Sequence, residues 1–254
     1  MSETASPSEP LIEVIRGAQV ESVHRGAIVV MNAQGERVAS IGDVARSVFP
    51  RSAIKAMQLL PFVASGGADR MGFTDREIAF ACASHRGEAL HAEQAKETLA
   101  RIGLGESDLV CGAHWPFADD AMRAMVRADA RPERYHNNCS GKHVAMLAAA
   151  RDLGAPTAGY ALRTHPVQTR IRETLERLCD VDLAELHPGT DGCGAPNWPI
   201  PLAALALGFA RFVTGERARH GRAAGGKAHP GSLLGVSHVC LGQQRSRHRG
   251  PSAR

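Results

Sequence analysis

Arg51-Ser52-Ala53-Ile54-Lys55 stands directly after Pro50 and opens a run in which Ile54, Met57, Leu60 and Phe62 recur with roughly helical spacing as far as Gly66-Gly67. That period predicts a buried helix over residues 52–64 with Ser52 in its first turn. A serine three positions before a lysine shares its helix face, within reach of the amine. A neutral amine there can take the hydroxyl proton and make the oxygen nucleophilic, provided that burial lowers the lysine pKa. The helix N-terminus also favours developing negative charge. Taken alone, Ser-x-x-Lys reads more simply as a capping serine beside a surface lysine.

Upstream of this helix, residues 11–15 and 20–30 are rich in Val and Ile, and Asn32-Ala33-Gln34-Gly35 signals a turn before residues 37–41. An antiparallel hairpin sheet should therefore open the fold. Downstream, Thr74-Asp75-Arg76-Glu77 has the capping-box pattern, which starts a helix running toward Cys82. Residues 90–102, 119–128, 141–153, 166–178 and 201–213 follow as amphipathic or apolar helices, with short polar loops at 135–140 and 188–196. The chain reads as α/β in the α+β sense: antiparallel strands first, then a largely helical middle. No repeat of fixed period is visible, which disfavours a solenoid.

A hydrophobic share of 44% and a charged share of 22% over 254 residues set aside disordered, collagen-like and disulfide-framework classes. The net charge of +4 is unevenly held. Residues 215–254 carry eight Lys/Arg against Glu216 alone, leaving 22 basic and 25 acidic residues in 1–214. This basic end has no sustained period, and its few apolar residues are too little core to offset the entropy of ordering it. We read it as an atypical, unstructured tail, of the composition that GC-rich coding DNA produces when truncated or read out of frame. It holds no aromatic residue for stacking on bases, so no nucleic-acid partner is expected. Without it, residues 11–214 form the domain, left with an exposed sheet edge or apolar face. Residues 1–10 are Ser/Pro/Glu-rich and read as disordered, with no export signal, and no apolar run reaches a membrane span. The expected location is the cytoplasm, where six scattered cysteines suit metal or structural thiols better than disulfides.

Three further stretches can carry chemistry. Ser84 and His85 follow the capping-box helix, Ser84 as a hydroxyl relay or oxyanion donor and His85 as a general base. The plainer reading is a serine and a solvated histidine closing a helix. Asn137-Asn138-Cys139-Ser140-Gly141-Lys142-His143 and Asp191-Gly192-Cys193 each put a cysteine in a polar, glycine-containing loop. Two thiolates with nearby nitrogen donors suit Zn²⁺, although spacing equally allows two buried free thiols.

Together, Arg51-Ser-Ala-x-Lys55, Cys82-Ala-Ser-His85, Asn138-Cys-Ser-Gly-Lys-His143 and Thr190-Asp-Gly-Cys193 occur in the order and approximate spacing of the bacterial asparaginase II family, the rhizobial-type asparaginases. The stretch Gly17-x-x-Val-Glu-Ser-x-His-Arg-Gly26 resembles the first strands of that family, and the resemblance covers residues 11–213. It implies a fold like serine β-lactamases and glutaminases, with Ser52 as nucleophile, Lys55 as its base and Ser84 as a second serine. It further implies zinc on Cys139, Lys142 and Cys193, with Arg51, His143 and Asp191 around a small-molecule substrate, L-asparagine, in a homodimer. The product pair would be L-aspartate and ammonia. Family members run on to a lysine and a Gly-Ala-containing turn that pairs with the second serine; Gly226-Lys227-Ala228 is the local echo, and its flanks do not match. The resemblance therefore implies a chain lacking the family's C-terminal part. The alternatives are a non-catalytic member binding a small amino-acid amide or zinc only, and a glutaminase, which differs by one methylene in the pocket.

Overall fold

Turn chemistry shapes the start of the chain, which a computed structural model describes over residues 8–215. Strands β1 (Glu9–Arg16) and β2 (Gln19–Gly26) pair antiparallel around Gly17, whose φ of 61° suits a residue without a Cβ. Strands β3 (Ile28–Met31) and β4 (Arg37–Ile41) pair across a turn in which the Glu36 amide donates to Asn32 Oδ1 at 2.8 Å. The strand expected over 20–30 is thus broken at Ala27, and the hairpins form two separate two-stranded sheets. They carry Ile12, Ile15 and Val38 largely exposed. Because β1 starts at Glu9, it reaches into the segment read as disordered.

A 3-10 turn over Arg51–Ile54 leads into α1 (Lys55–Ala64), followed by α2 (Gly67–Arg70), α3 (Asp75–Cys82), α4 (Ala89–Arg101), α5 (Asp119–Arg127), α6 (Ser140–Asp152), α7 (Pro166–Cys179) and α8 (Leu202–Thr214). The helices expected from periodicity lie where the sequence puts them, with ends shifted by a residue or so, except that α1 starts at Lys55, three residues after the expected start, which leaves Ser52 on the preceding 3-10 turn. The capping box forms as written: Thr74 Oγ1 accepts from the Glu77 amide at 3.3 Å, and Glu77 Oε2 accepts from the Thr74 amide at 2.8 Å. Helix α8 ends at Gly215 in the left-handed conformation. The expectations for residues 216–254 lie outside the described residues.

Helix α6 is the centre of the core, buried without interruption from Ser140 to Ala150, with α1, α3, α4 and α7 packed around it. Gly141 makes this possible. A Cβ there would stand 2.5 Å from the Phe80 carbonyl oxygen, so only glycine lets α3 and α6 come this close. Four two-residue strands then fix the loops: β5 (Ser47–Val48), β6 (Gly189–Thr190), β7 (Pro196–Asn197) and β8 (Ile200–Pro201). β5 pairs with β8 and β6 with β7, which draws the segment before Arg51 against residues 189–201. The architecture is mixed α/β, with small antiparallel sheets beside a helical core. No helix among the described residues is long and apolar enough to cross a membrane.

Candidate active site

Lys55, read from its pattern as a surface residue, is 1% exposed. Its Nζ lies 2.8 Å from the Ala83 carbonyl oxygen, 3.1 Å from that of Asn138 and 2.9 Å from Ser84 Oγ. Carbonyl oxygens only accept, so they take two N–H groups of the amine. The position facing Ser84 then holds the third N–H of an ammonium or the lone pair of a neutral amine. Burial draws Lys55 below the ordinary lysine range, against the nearby Cys139 thiol and with help from Lys142. Ser84 reaches the amine because α3 ends at Cys82 and Ala83 turns extended, leaving the serine exposed while its hydroxyl faces inward to Lys55. The expected Ser52–Lys55 contact is not made. The amine is drawn instead to interior acceptors at the end of α3 and the start of α6, and Ser52 stays half-buried on the preceding 3-10 turn.

Arg51 is held from both ends by the 191–197 segment. Its backbone N–H donates to Asn197 Oδ1 at 3.2 Å, and its Nε meets Asp191 Oδ1 at 3.1 Å. Its φ of 49° lies in the left-handed region, which for a non-glycine residue costs of order 1–3 kcal/mol and persists only where the surroundings enforce it. Arg51 and Asp191 are thus brought together beside Ser52.

Below Lys55 lies a second layer. Lys142 Nζ is 3.2 Å from Cys193 Sγ, and the Cys139 thiol lies close enough to Cys193 for each to perturb the other. The neighbouring Cys193 thiol, with Lys55 and Lys142 close by, draws the Cys139 thiol down to about 5, while Cys139 and burial push Cys193 up. His143 is fully buried, with Nδ1 2.7 Å from the Tyr160 hydroxyl, while Nε2 has no partner within hydrogen-bond distance. The Cys193 thiol is near enough to influence its protonation, and burial keeps the ring neutral. Among the described residues no group of three His, Cys, Asp or Glu side chains is gathered as a metal site. The expected set instead pairs two thiols with the Lys142 amine, and these soft donors, with the orphaned His143 nitrogen beside them, fit a zinc ion chemically.

His85 does not suit the general-base role. Its Nδ1 accepts from the Gly87 amide at 3.1 Å, so its remaining proton sits on Nε2, 2.9 Å from Ser140 Oγ. Buried and stacked against Phe80 and His91, it is driven down to about 3 and stays neutral. Its part is structural: it ties the loop after α3 to the start of α6, reinforced by its own amide donating to the Asn138 carbonyl.

Three contributors went unread in the sequence. Tyr160 orients His143, Asn197 caps the Arg51 amide, and His114 accepts from the Asn138 amide at 2.9 Å. Tyr160 carried one usable signal, being one of only two tyrosines in the chain. Asn197 lies among prolines, where an amide side chain marks a turn rather than a site.

All four motifs thus meet in one cluster. None of the curated proteins compared with the chain matches it. A family model described as L-asparaginase II does, over residues 12–229. With a match across most of its length and the four motifs gathered around Lys55 and Lys142, the chain belongs to the L-asparaginase II family.

Proposed function

We propose that the protein is an L-asparagine amidohydrolase working through a serine and Lys55. The observation that carries this reading is the 2.9 Å contact between Lys55 Nζ and Ser84 Oγ, an exposed hydroxyl backed by a buried amine. The neutral amine takes the serine proton as the oxygen attacks the side-chain amide carbon. It returns that proton to the departing nitrogen, which leaves as ammonia. Water then hydrolyses the acyl-enzyme to L-aspartate. Ser84 attacks directly, or it relays the proton of Ser52. Arg51 and Asp191 bind and orient the substrate in this reading, while the fully buried His143, expected beside the substrate, stands behind the cluster on the Tyr160 hydroxyl. Cys139, Lys142 and Cys193 would hold zinc, which when bound supplies a positive charge that orders the loops over the substrate. A β-lactamase-like ancestry for the sheet, a homodimer and a cytoplasmic setting belong to the same proposal.

The test is ammonia release by the 254-residue chain from L-asparagine and, separately, L-glutamine. Turnover of asparagine that disappears in Lys55→Met, a change that keeps length and removes the amine, is the expected result. Turnover surviving in Lys55→Met overturns the mechanism. Turnover of glutamine in preference to asparagine overturns the substrate.

A further inference from the structure

The Asn138 carbonyl accepts from Lys55 Nζ at 3.1 Å and from the His85 amide at 3.3 Å, so one backbone oxygen ties the buried amine to the loop that carries Ser84. The bonds that open α6 run to its neighbours instead, from the Ser140 amide to the Asn137 carbonyl and from the His143 amide to that of Cys139. Residue 138 is held by its other end. Its amide donates to His114 Nε2 at 2.9 Å.

His114 is built to receive that bond. Its Nδ1 lies 2.7 Å from the Trp115 carbonyl oxygen, which can only accept, so Nδ1 carries the proton and Nε2 presents a lone pair to the amide. Asn138 Oδ1 also lies 3.3 Å from Nε2, but with its proton on Nδ1 the ring has nothing to donate there. The ring is stacked on Phe117, with centroids 4.7 Å apart. The segment around it is fastened on two sides. Gly112 O accepts from Asn137 Nδ2 at 2.6 Å; the Phe117 carbonyl accepts from Arg86 Nη2 at 2.9 Å, and the Ala118 amide donates to the Arg86 carbonyl at 3.1 Å, two residues after Ser84.

We propose that His114 is a positioning residue: its Nε2 lone pair holds the Asn138 backbone so that the carbonyl keeps the Lys55 amine on Ser84. The catalytic part of this inference rests on the amidohydrolase reading. Without the acceptor, the half-buried Asn138 amide must turn toward water for another partner, and the carbonyl of the same residue turns with it. Lys55 then shifts or loses one of its two carbonyl acceptors. A misplacement of about 1 Å can cost about 100-fold in rate. Arg51 and Asp191, which hold the substrate, are untouched, so the loss falls on kcat and spares KM.

The experiment compares two variants of the full chain. His114→Phe keeps a flat ring to stack on Phe117 but has no lone pair, whereas His114→Gln gives up the stack and sets an acceptor oxygen near the place of Nε2. Ammonia release from L-asparagine is measured beside the ¹³Cε signal of Lys55 in protein labelled on lysine. The chain has four lysines, and the Lys55 signal is the one missing from Lys55→Met. The expected result for His114→Phe is a displaced Lys55 signal and a fall in kcat of about tenfold or more, with KM within about twofold of the parent. His114→Gln should keep the parental signal and a kcat within about threefold. Should His114→Phe lose its cooperative melting, His114→Leu, smaller and equally without an acceptor, takes its place. An unmoved signal in the variant without an acceptor, or a loss in His114→Gln as large as in His114→Phe, overturns the proposal, since packing of the ring and not its lone pair would then matter. A parent that releases no ammonia overturns the amidohydrolase reading alone, because the Lys55 signal still reports whether His114 sets the amine.

Discussion

Ser84→Ala isolates the contact on which the mechanism turns. It removes one acceptor from Lys55 Nζ and leaves the bonds to the Ala83 and Asn138 carbonyls in place. Since Ser84 is exposed, water can take over as acceptor. The loss of stability should stay near that of one hydrogen bond, about 0.5–1.5 kcal/mol, which for a domain of this size lowers Tm by about 2–4 °C per kcal/mol. Activity should respond on a different scale. If Ser84 relays protons, its removal costs about 10²–10⁴-fold; if it attacks, the loss is about 10⁴-fold or more, as for removal of a nucleophile. Ser52→Ala, measured beside it, separates the roles, because the attacking serine gives the larger loss in kcat. The base must be deprotonated to act, so kcat/KM should rise with pH through the Lys55 pKa, with its acid limb below the ordinary lysine range. Ammonia release from asparagine and thermal melting are the two assays. A Ser84→Ala protein that keeps more than about a tenth of parental turnover would refute the dyad, since a proton-transfer group contributes at least ten times that.

Purified without chelator, the chain should carry about one zinc ion held by thiolates, and elemental analysis should find it lost from Cys139→Ser/Cys193→Ser; metal content unchanged in that variant excludes these ligands. Glu77→Ala removes the acceptor of the Thr74 amide, both threonine hydroxyls and the Arg101 ion pair, and should cost about 2–3 kcal/mol in urea unfolding. Burial alone would raise the Glu77 pKa, but Arg101, the Thr74 amide and the hydroxyls hold it below the usual range. Its stabilisation is therefore full above the unfolded carboxylate pKa and lost as pH falls through the folded one, so the gap between parent and Glu77→Ala should narrow as pH falls below about 4.3, the ordinary Glu value. Gly141→Ala sets a Cβ 2.5 Å from the Phe80 carbonyl oxygen, forcing α3 and α6 apart. It should destabilise by about 1–3 kcal/mol, and melting at the parental temperature would show that the contact can relax.

The helices were legible because their signals are local. The Thr74–Glu77 box, the apolar spacing in α1 and the glycines and prolines between helices lie within a few residues of what they control, and the structure follows them closely. The four motifs were legible as sequence too, each as a group of neighbouring residues. Strands β5 to β8 were not, because two residues carry no period and their pairing depends on segments far apart in the chain. The expected 20–30 strand broke at Ala27 for a related reason: alternation marks an extended segment, while partners decide where it stops.

The site divides along the same line. Residue types alone announced a serine with a lysine and two cysteines near nitrogen donors, since the chemistry available to a side chain is written in its identity, whereas Arg51 and Asp191 were implied only by the family resemblance. Which serine the lysine meets is another matter. A buried amine must satisfy its hydrogens, and the carbonyls that do so belong to Ala83 and Asn138, brought beside Lys55 by the packing of α3 and α6 against α1. That packing turned an expected surface lysine into an interior one facing Ser84, made His85 a strut by occupying both its nitrogens, and recruited Tyr160 and Asn197 from segments without a motif. Burial and direction are properties of the assembled core, and no local window of the chain contains them.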